Sequence, residues 1–326
     1  MPSNSKNIAE LLNTDTTIAV TDVADGSITA DKLASNAVTT AKIASSAVTN
    51  AKINGMASSK LTGALPALDG ANLTNVSPPT YGGEMLICGG GGSGGCGADG
   101  SHYGGGAGAG QLLHMLDFNY TVGEVYTITV GAGVNWTNNV NSAGTPGNSS
   151  SVEVGNSGKV FTMSGGGRGS GYYNNNAGTP GGGGAYPGTG SAGTSISYFT
   201  DPSIYRIVLY GGANYGTGGQ AAGGGGATSS GNSSGDGGSG YNSDISGSTV
   251  NYSRGGHKPT TTANTTYGSG GNGGRNANPG SAGIQGVVIL RVPTASYSGT
   301  TTGSPTVTTS GIYTIITFTG NGSYTG

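Results

Sequence analysis

Glu84-Met85-Leu86-Ile87-Cys88-Gly89-Gly90-Gly91-Gly92 changes within nine residues from an apolar run to a run without side chains. The same junction recurs along the chain. Val125-Tyr126-Thr127-Ile128-Thr129-Val130, Val160-Phe161-Thr162-Met163, Tyr205-Arg206-Ile207-Val208-Leu209-Tyr210 and Gly286-Val287-Val288-Ile289-Leu290-Arg291-Val292 are β-branched or aromatic and bounded by Gly, Pro, Asn or Ser, which predicts strands. Between them stand clusters such as Gly104-Gly105-Gly106, Gly165-Gly166-Gly167, Gly181 to Gly184 and Gly223 to Gly226, and the chain holds 70 glycines in all. Glycine loses the most backbone freedom on ordering and buries no side chain, so such a stretch stays disordered or adopts an architecture that uses the missing side chain. With 8% charged residues, a net charge of −2 and 17 tyrosines, the composition lacks the mark of disorder, and an ordered domain is expected.

Gly89 to Gly110 keeps no every-third-residue register, which excludes collagen. The remaining ordered option is a packed set of polyglycine-II helices, three residues per turn, whose amides bond outward to neighbouring copies. The loops between clusters mix Tyr, Asn, Ser and Gly, as antibody combining sites do. They supply the candidate contact residues Tyr172, Tyr173, Asn174, Asn175, Tyr186, Tyr215, Tyr241, Asn242, Tyr252 and Arg254. The competing reading is that these tyrosines only cover glycine faces.

Only 33% of the 326 residues are hydrophobic, so a conventional core is thin and association between chains is expected to contribute. A ten-residue repeat near the N-terminus points the same way. Gly26-Ser27-Ile28-Thr29-Ala30-Asp31-Lys32-Leu33-Ala34 aligns with Asn36 to Ala44 and Ser46 to Ile53, with Ile28, Leu33, Val38, Ile43, Val48 and Ile53 as the apolar positions. One large apolar residue in five fits neither helix nor strand period. Each copy reads as a short extended piece followed by one helical turn, and a single chain of such units has little to bury. These six residues are therefore expected to meet their equivalents around a three-fold axis. Ahead of the repeat, Ser5 to Asn13 predicts a short amphipathic helix with Ile8, Leu11 and Leu12 on one face, too short to stand alone and suited to docking. After Pro293 the chain reads as strands at Thr306-Val307-Thr308 and Ile312 to Phe318, with Asn321-Gly322 as a hairpin signal.

The period-ten stem, the junction Leu68-Asp69-Gly70-Ala71-Asn72-Leu73-Thr74, the passage from Met85-Leu86-Ile87-Cys88 into Gly89–Gly92, Tyr126-Thr127-Ile128-Thr129-Val130-Gly131-Ala132-Gly133, and Gly286-Val287-Val288-Ile289-Leu290-Arg291 together resemble bacteriophage tail fibres and tail adhesins. The resemblance covers nearly the whole chain. It implies a homotrimeric virion protein, made in the host cytoplasm, whose N-terminus is held by a tail or adaptor protein and whose head contacts a host cell-surface glycan or outer-membrane protein. On that basis residues 1–25 would attach to the virion, 26–80 form the trimeric stem and linker, 81–292 the glycine-rich head, and 293–326 a C-terminal β segment. The expected fold is mostly β and irregular: an elongated homotrimeric fibre with a short N-terminal helix, a stem, strands and polyglycine-II helices. The stem is shorter than the family's, and the tail repeats a Phe-Thr-Gly-x-Gly-x-Tyr motif that often precedes the glycine domain. A purely structural fibre, or an ice- or surface-binding glycine-helix protein, are the alternatives.

Catalysis finds no support in the residues. Gly91-Gly92-Ser93-Gly94-Gly95 matches a nucleophile elbow only as glycine-rich sequence does by chance, without a following helix. His102, His114 and His257 are scattered, and Asp236-Gly237-Gly238-Ser239-Gly240 occurs once, so neither a metal nor a cofactor is expected. Twelve Lys+Arg against 14 Asp+Glu gives no basic stripe for nucleic acid, and no apolar stretch suits membrane insertion. Cys88 and Cys96 are read as free, partly buried thiols.

Overall fold

A computed structural model describes residues 27–29, 31, 33–35, 37–39, 41, 43–44, 47, 78–98, 102–136, 141–173, 177–178, 181–185, 204–207 (backbone only), 221–259 and 262–326. The chain divides into two units, Met1–Thr74 and Asn75–Gly326. The N-terminal helix expected at Ser5 to Asn13, with Ile8, Leu11 and Leu12, lies outside the described residues, as do Val48 and Ile53. In the first unit Ala37 N–H donates to Ala34 O at 2.9 Å and Ala47 N–H to Ala44 O at 3.0 Å, the same turn repeated ten residues on. Ile28, Leu33, Val38 and Ile43 stand 43–57% exposed on the single chain.

The second unit is built from thirteen strands among its described residues. They are β1 (Thr80–Cys88), β2 (Leu112–Thr121), β3 (Val125–Thr129), β4 (Ser150–Val154), β5 (Lys159–Met163), β6 (Ile204–Ile207), β7 (Tyr241–Ser243), β8 (Val250–Tyr252), β9 (Val287–Pro293), β10 (Thr301–Thr302), β11 (Thr306–Ser310), β12 (Tyr313–Phe318) and β13 (Gly322–Thr325). One sheet runs β11-β12-β9-β1-β2-β6, a second β10-β13-β3-β4-β5, and β7-β8 form a separate pair. Every pairing is antiparallel.

The apolar runs explain the layering. In β1 and β9 every residue of Met85–Cys88 and Val287–Leu290 is apolar because both faces of these central strands are covered. Met85, Ile87, Val288, Leu290, Val292, Ile316 and Phe318 meet Tyr126, Ile128, Val152, Phe161 and Tyr324 of the second sheet. On the other face Leu86, Cys88, Leu112, Val287, Ile289 and Ile315 pack against Ile245 and Tyr252 of the β7–β8 region. β3, in contrast, alternates buried and exposed residues, as a strand with one wet face must.

Tyrosine fills much of this sandwich. Tyr120, Tyr126 and Tyr324 are fully buried, and each phenol finds a partner: Tyr120 Oη donates to Glu84 O at 2.8 Å, Tyr126 Oη accepts from Thr121 N–H at 2.8 Å, and Tyr324 Oη lies 2.6 Å from Tyr81 Oη. Burial pushes the Tyr81, Tyr120 and Tyr126 hydroxyls above the usual phenol range, so they remain neutral.

Strands β11 to β13 complete both sheets. The hairpin expected at Asn321-Gly322 does not form. β12 pairs with β9 and β11 while β13 pairs with β3 and β10, so the chain crosses between sheets there. The Asn321 side chain is needed elsewhere, accepting from Val130 N–H at 2.9 Å.

The glycine clusters continue the strands beyond the sheet ends. Successive N–H groups from Gly89 to Gly97 donate to Gln111, Asn148, Ile284, then Gly108, Thr145, Ser281, then Gly105, Ser142, Asn278. Every third residue bonds to the same neighbouring segment, and each step along the segment moves the partner back by three: a rod with three residues per turn and antiparallel neighbours. Gly104–Gly110 keeps the three-residue period and is bonded to six surrounding segments. Its acceptors in 268–274 and 167–170 step back by three, as antiparallel neighbours do, whereas Gly106 and Ala109 donate to Ala222 and Gly225, a parallel neighbour; it accepts from Gly92 and Gly95, Gly183 and Gly256. Rods approach so closely that a Cβ added at Gly91, Gly94, Gly95 or Gly224 would lie 1.8–2.0 Å from a carbonyl oxygen of the next rod. Backbone bonding thus does here what apolar packing does in the sandwich.

Candidate binding surface

The rods leave the sheets at Cys88/Gly89, Gly110/Gln111, Met163/Ser164 and Gly286/Val287, so their other ends form a free face. That face is assembled from breaks between glycine runs. His102 and Tyr103 precede Gly104; Tyr172 and Tyr173 follow Gly171; Arg275 to Pro279 separate Gly274 from Gly280. Backbone bonds tie the breaks together: Tyr172 N–H to Cys96 O (3.2 Å), Asn276 N–H to His102 O (3.4 Å) and Ala277 N–H to Ala98 O (2.7 Å). Tyr103 and Arg275 form an antiparallel bridge.

Side chains gather above these bonds. The His102 ring lies 4.1 Å from Tyr172 and 6.2 Å from Tyr173, with the two tyrosines 4.4 Å apart at 70°. Beside them the Arg275 guanidinium sits 5.1 Å over the Tyr103 ring. Tyr172 is only 4% exposed and supports the cluster from beneath, while Tyr173 is 61% exposed. Asn141, Tyr173, Asn276 and Ala277, all at this end, have φ between 32° and 64°. Glycine takes this conformation freely and L-residues do not. Among these, asparagine adopts it more readily than other L-residues, and Ser253 and Ser304, away from this end, share it.

The sequence-predicted contact residues divide between two ends of this unit. Tyr172 and Tyr173 are at the free face; Asn174, Asn175, Tyr186 and Tyr215 lie outside the described residues. Tyr241, Asn242 and Tyr252 are in strands at the sheet end, a correction to their reading as loop residues. Tyr252 is 1% exposed, part of the apolar layer with Leu86 and Cys88, and so cannot meet a partner's surface. The Tyr241 hydroxyl lies 3.1 Å from His114 Nδ1, His114 Nε2 3.2 Å from Glu84 Oε2, and Arg291 donates to Glu84 Oε1 at 3.1 Å while its guanidinium stacks 4.4 Å over Tyr313. This network fastens the β7–β8 pair to the large sheet. Asn242 Oδ1 accepts from Asn251 Nδ2 at 2.8 Å across the same pair. Arg254 is exposed on the flank of the rods.

His102, Tyr103 and Arg275 were not anticipated as contact residues. Their signal is positional: each interrupts a glycine run at the end far from a strand. Ser93 of the elbow-like motif is buried among rods, its hydroxyl accepting from Thr145 N–H at 2.7 Å, a bond within the lattice. Cys88 and Cys96 are both free and both buried. No helix among the described residues is long and apolar enough to cross a membrane.

A family model described as a glycine-rich domain matches residues 68–293. No curated protein sequence matches the chain.

Proposed function

The chain belongs to the glycine-rich domain family, and from that premise we propose that it is a homotrimeric bacteriophage tail fibre whose head contacts the host surface. The observation that carries this reading is a backbone-bonded rod lattice holding exposed Tyr173 and Arg275 beside a half-buried His102 at its free end. Three residues per turn and bonding only to neighbours are the properties of polyglycine II, and we assign the rods to that class. Such a bundle presents loops without side-chain entropy in its interior, and aromatic residues on rigid supports bind at low ordering cost. Side chains in strained backbone at the tip fit recognition of a glycan or an outer-membrane protein.

The trimer draws support from the first unit, where Ile28, Leu33, Val38 and Ile43 stay exposed on one chain. Three copies would cover them around a shared axis, with the residues before the stem held by a tail or adaptor protein.

Purified protein incubated with host cells before phage is added should block infection, and Tyr173→Ala combined with Arg275→Ala should weaken the block without shifting the thermal midpoint. Absence of competition at saturating protein refutes host contact and leaves a purely structural fibre.

A further inference from the structure

Along the flank of the lattice, Asn251, Arg254, His257 and the loop 262–266 line an open cleft of ≈ 500 Å³, within the size range of small-molecule sites. Its walls are fixed by side chains of the rods. Asn264 Nδ2 donates to Gly255 O (3.1 Å) and Gly270 O (2.8 Å); Asn272 Oδ1 accepts from His257 N–H (2.9 Å) while its Nδ2 donates to Thr262 O (2.8 Å); Thr266 Oγ1 lies 2.8 Å from Ser269 Oγ. A cleft held this way is organised before any ligand enters.

Its polar equipment combines the donors Arg254 and His257 with threonine hydroxyls and asparagine amides that both donate and accept. His257 Nδ1 accepts from Gly237 N–H at 3.2 Å, which places the ring proton on Nε2 as a donor. Burial first, then the neighbouring Arg254 charge, lower the His257 pKa, so the ring stays neutral near pH 7. The other charges nearby have protein partners: Lys258 Nζ donates to Ser234 O at 2.8 Å, and the Asp236 carboxylate accepts from Asn232 Nδ2 at 3.0 Å. Among the described residues the Arg254 guanidinium makes no such bond. A planar guanidinium matches a planar carboxylate with two parallel bonds, and one cation balances one negative charge. A phosphate monoester would bring roughly 1.5 to 2 charges. The hydroxyl-bearing residues Thr262, Thr265 and Thr266 beside a neutral His donor suit a polyhydroxylated ring.

We infer that this cleft binds an acidic sugar residue, its carboxylate on Arg254 and its hydroxyls on His257 and the threonines. That the sugar belongs to a host envelope rests on the function proposed above; the site itself does not.

The test is calorimetric titration of the full chain with disaccharides containing glucuronate or galacturonate, with the uncharged glucose counterpart, and with inorganic phosphate. At least one uronate should bind saturably, the neutral sugar and phosphate at least tenfold more weakly. Arg254→Ala should reduce uronate affinity at least tenfold and Arg254→Lys by less, because a point charge lacks the paired geometry. Both variants should unfold at the wild-type temperature, Arg254 being exposed. No binding of either uronate, equal binding of the neutral sugar or phosphate, or wild-type affinity in Arg254→Ala overturns the inference. Cell adsorption measured in parallel separates the two claims: uronate binding without adsorption sinks the host-contact reading and supports the site.

Discussion

Gly94→Ala adds one methyl group to the middle of the rod lattice. The new Cβ would stand 1.8 Å from Asn272 O, 2.4 Å from Asn272 C and 2.9 Å from Gly273 N. A carbon and a carbonyl oxygen in non-bonded contact keep roughly 3.3 Å apart, so the two rods must separate by about 1.5 Å. All the obstructing atoms are backbone, and no rotamer change relieves the clash. Separation would break Gly271 N–H to Gly92 O (2.9 Å) and Gly274 N–H to Gly95 O (2.7 Å), the two bonds that join these rods on either side of the insertion. A buried group left unpaired costs about 1–3 kcal/mol, and overpacking about 1–3 kcal/mol more. With partial relaxation the total is roughly 3–8 kcal/mol, a large share of the 5–15 kcal/mol typical of a whole domain. At about 2–4 °C per kcal/mol for a unit of this size, the thermal midpoint should fall by at least about 6 °C. Gly320→Ala is the control, since nothing lies within 4 Å of its added Cβ and its φ is not positive. It should be neutral or stabilise by about 0.4–1 kcal/mol through the unfolded chain. A Gly94→Ala midpoint within 2 °C or so of wild type would refute the claim that close backbone approach holds the lattice.

Further outcomes follow from other parts of the chain. Val38→Asp or Ile43→Asp should convert a three-chain mass in solution to a single-chain mass, because an uncompensated charge would enter the shared axis; a single-chain mass for the wild type would refute the trimer itself. Burial pushes the Cys88 thiol up to about 12 and raises that of Cys96, so neither should react with iodoacetamide at pH 8 until the protein unfolds; mass spectrometry of the folded protein showing alkylation would contradict this. His257 titrates below its ordinary 6.5 in the folded state, so the unfolded chain binds more protons between the two values. Its contribution to stability is therefore present above about pH 6.5 and is lost as pH falls through the folded value. His257→Gln, with Arg254 and Asp236 unchanged beside it, should reduce the drop in thermal midpoint between pH 7.5 and 5.5, and an unaltered drop would count against the assignment.

Strands were legible where local propensity and burial agree. Val125–Val130 and Gly286–Val292 are rich in β-branched residues and pair within a residue of their expected bounds, while the apolar run Glu84–Cys88 is the second part of a strand that starts four residues earlier, at Thr80. β2 was not anticipated, although it is the longest strand. Leu112-Leu113-His114-Met115-Leu116-Asp117 has no β-branched residue, and its conformation comes from lying between β1 and β6. Tyr252 was read as a contact residue, yet it is core, as are Tyr120, Tyr126 and Tyr324, because a sandwich with few aliphatic residues fills its volume with rings whose hydroxyls can reach a partner.

That the glycine clusters are ordered was legible, but their internal register was not, because each short rod has its own phase and the search across Gly89 to Gly110 spans two rods. Within one rod a rule appears. From Gly89 to Gly97 the only side chains are Ser93 and Cys96, three apart and in phase with Gly90, the one glycine there whose added Cβ would come no closer than 3.0 Å to its surroundings. In the rod from Gly268 to Gly274 the side chains are Ser269 and Asn272, again three apart, and both accept from backbone N–H groups of the neighbouring rod, at Arg254 and His257. Gly280, Gly283 and Gly286 show the complement, glycine retained at every third position while Ser281, Ala282, Ile284 and Gln285 occupy the others. In these rods side chains stand in the columns that face room or an unpaired donor, whereas the rod Gly104–Gly110 admits only the methyl groups of Ala107 and Ala109, in two different columns. Arg275 continues the Ser269 and Asn272 column by three more residues and emerges at the free face, so the same periodicity that packs the rods aims a charged side chain at its end. Swapping Asn272 with Gly273 keeps composition and length but moves a side chain into the crowded phase, where the added Cβ would lie 1.8 Å from Gly104 O. The swapped chain should lose the cooperative unfolding transition of the head, whereas tolerance of it would show that glycine content alone, and not its phase, holds the rods together.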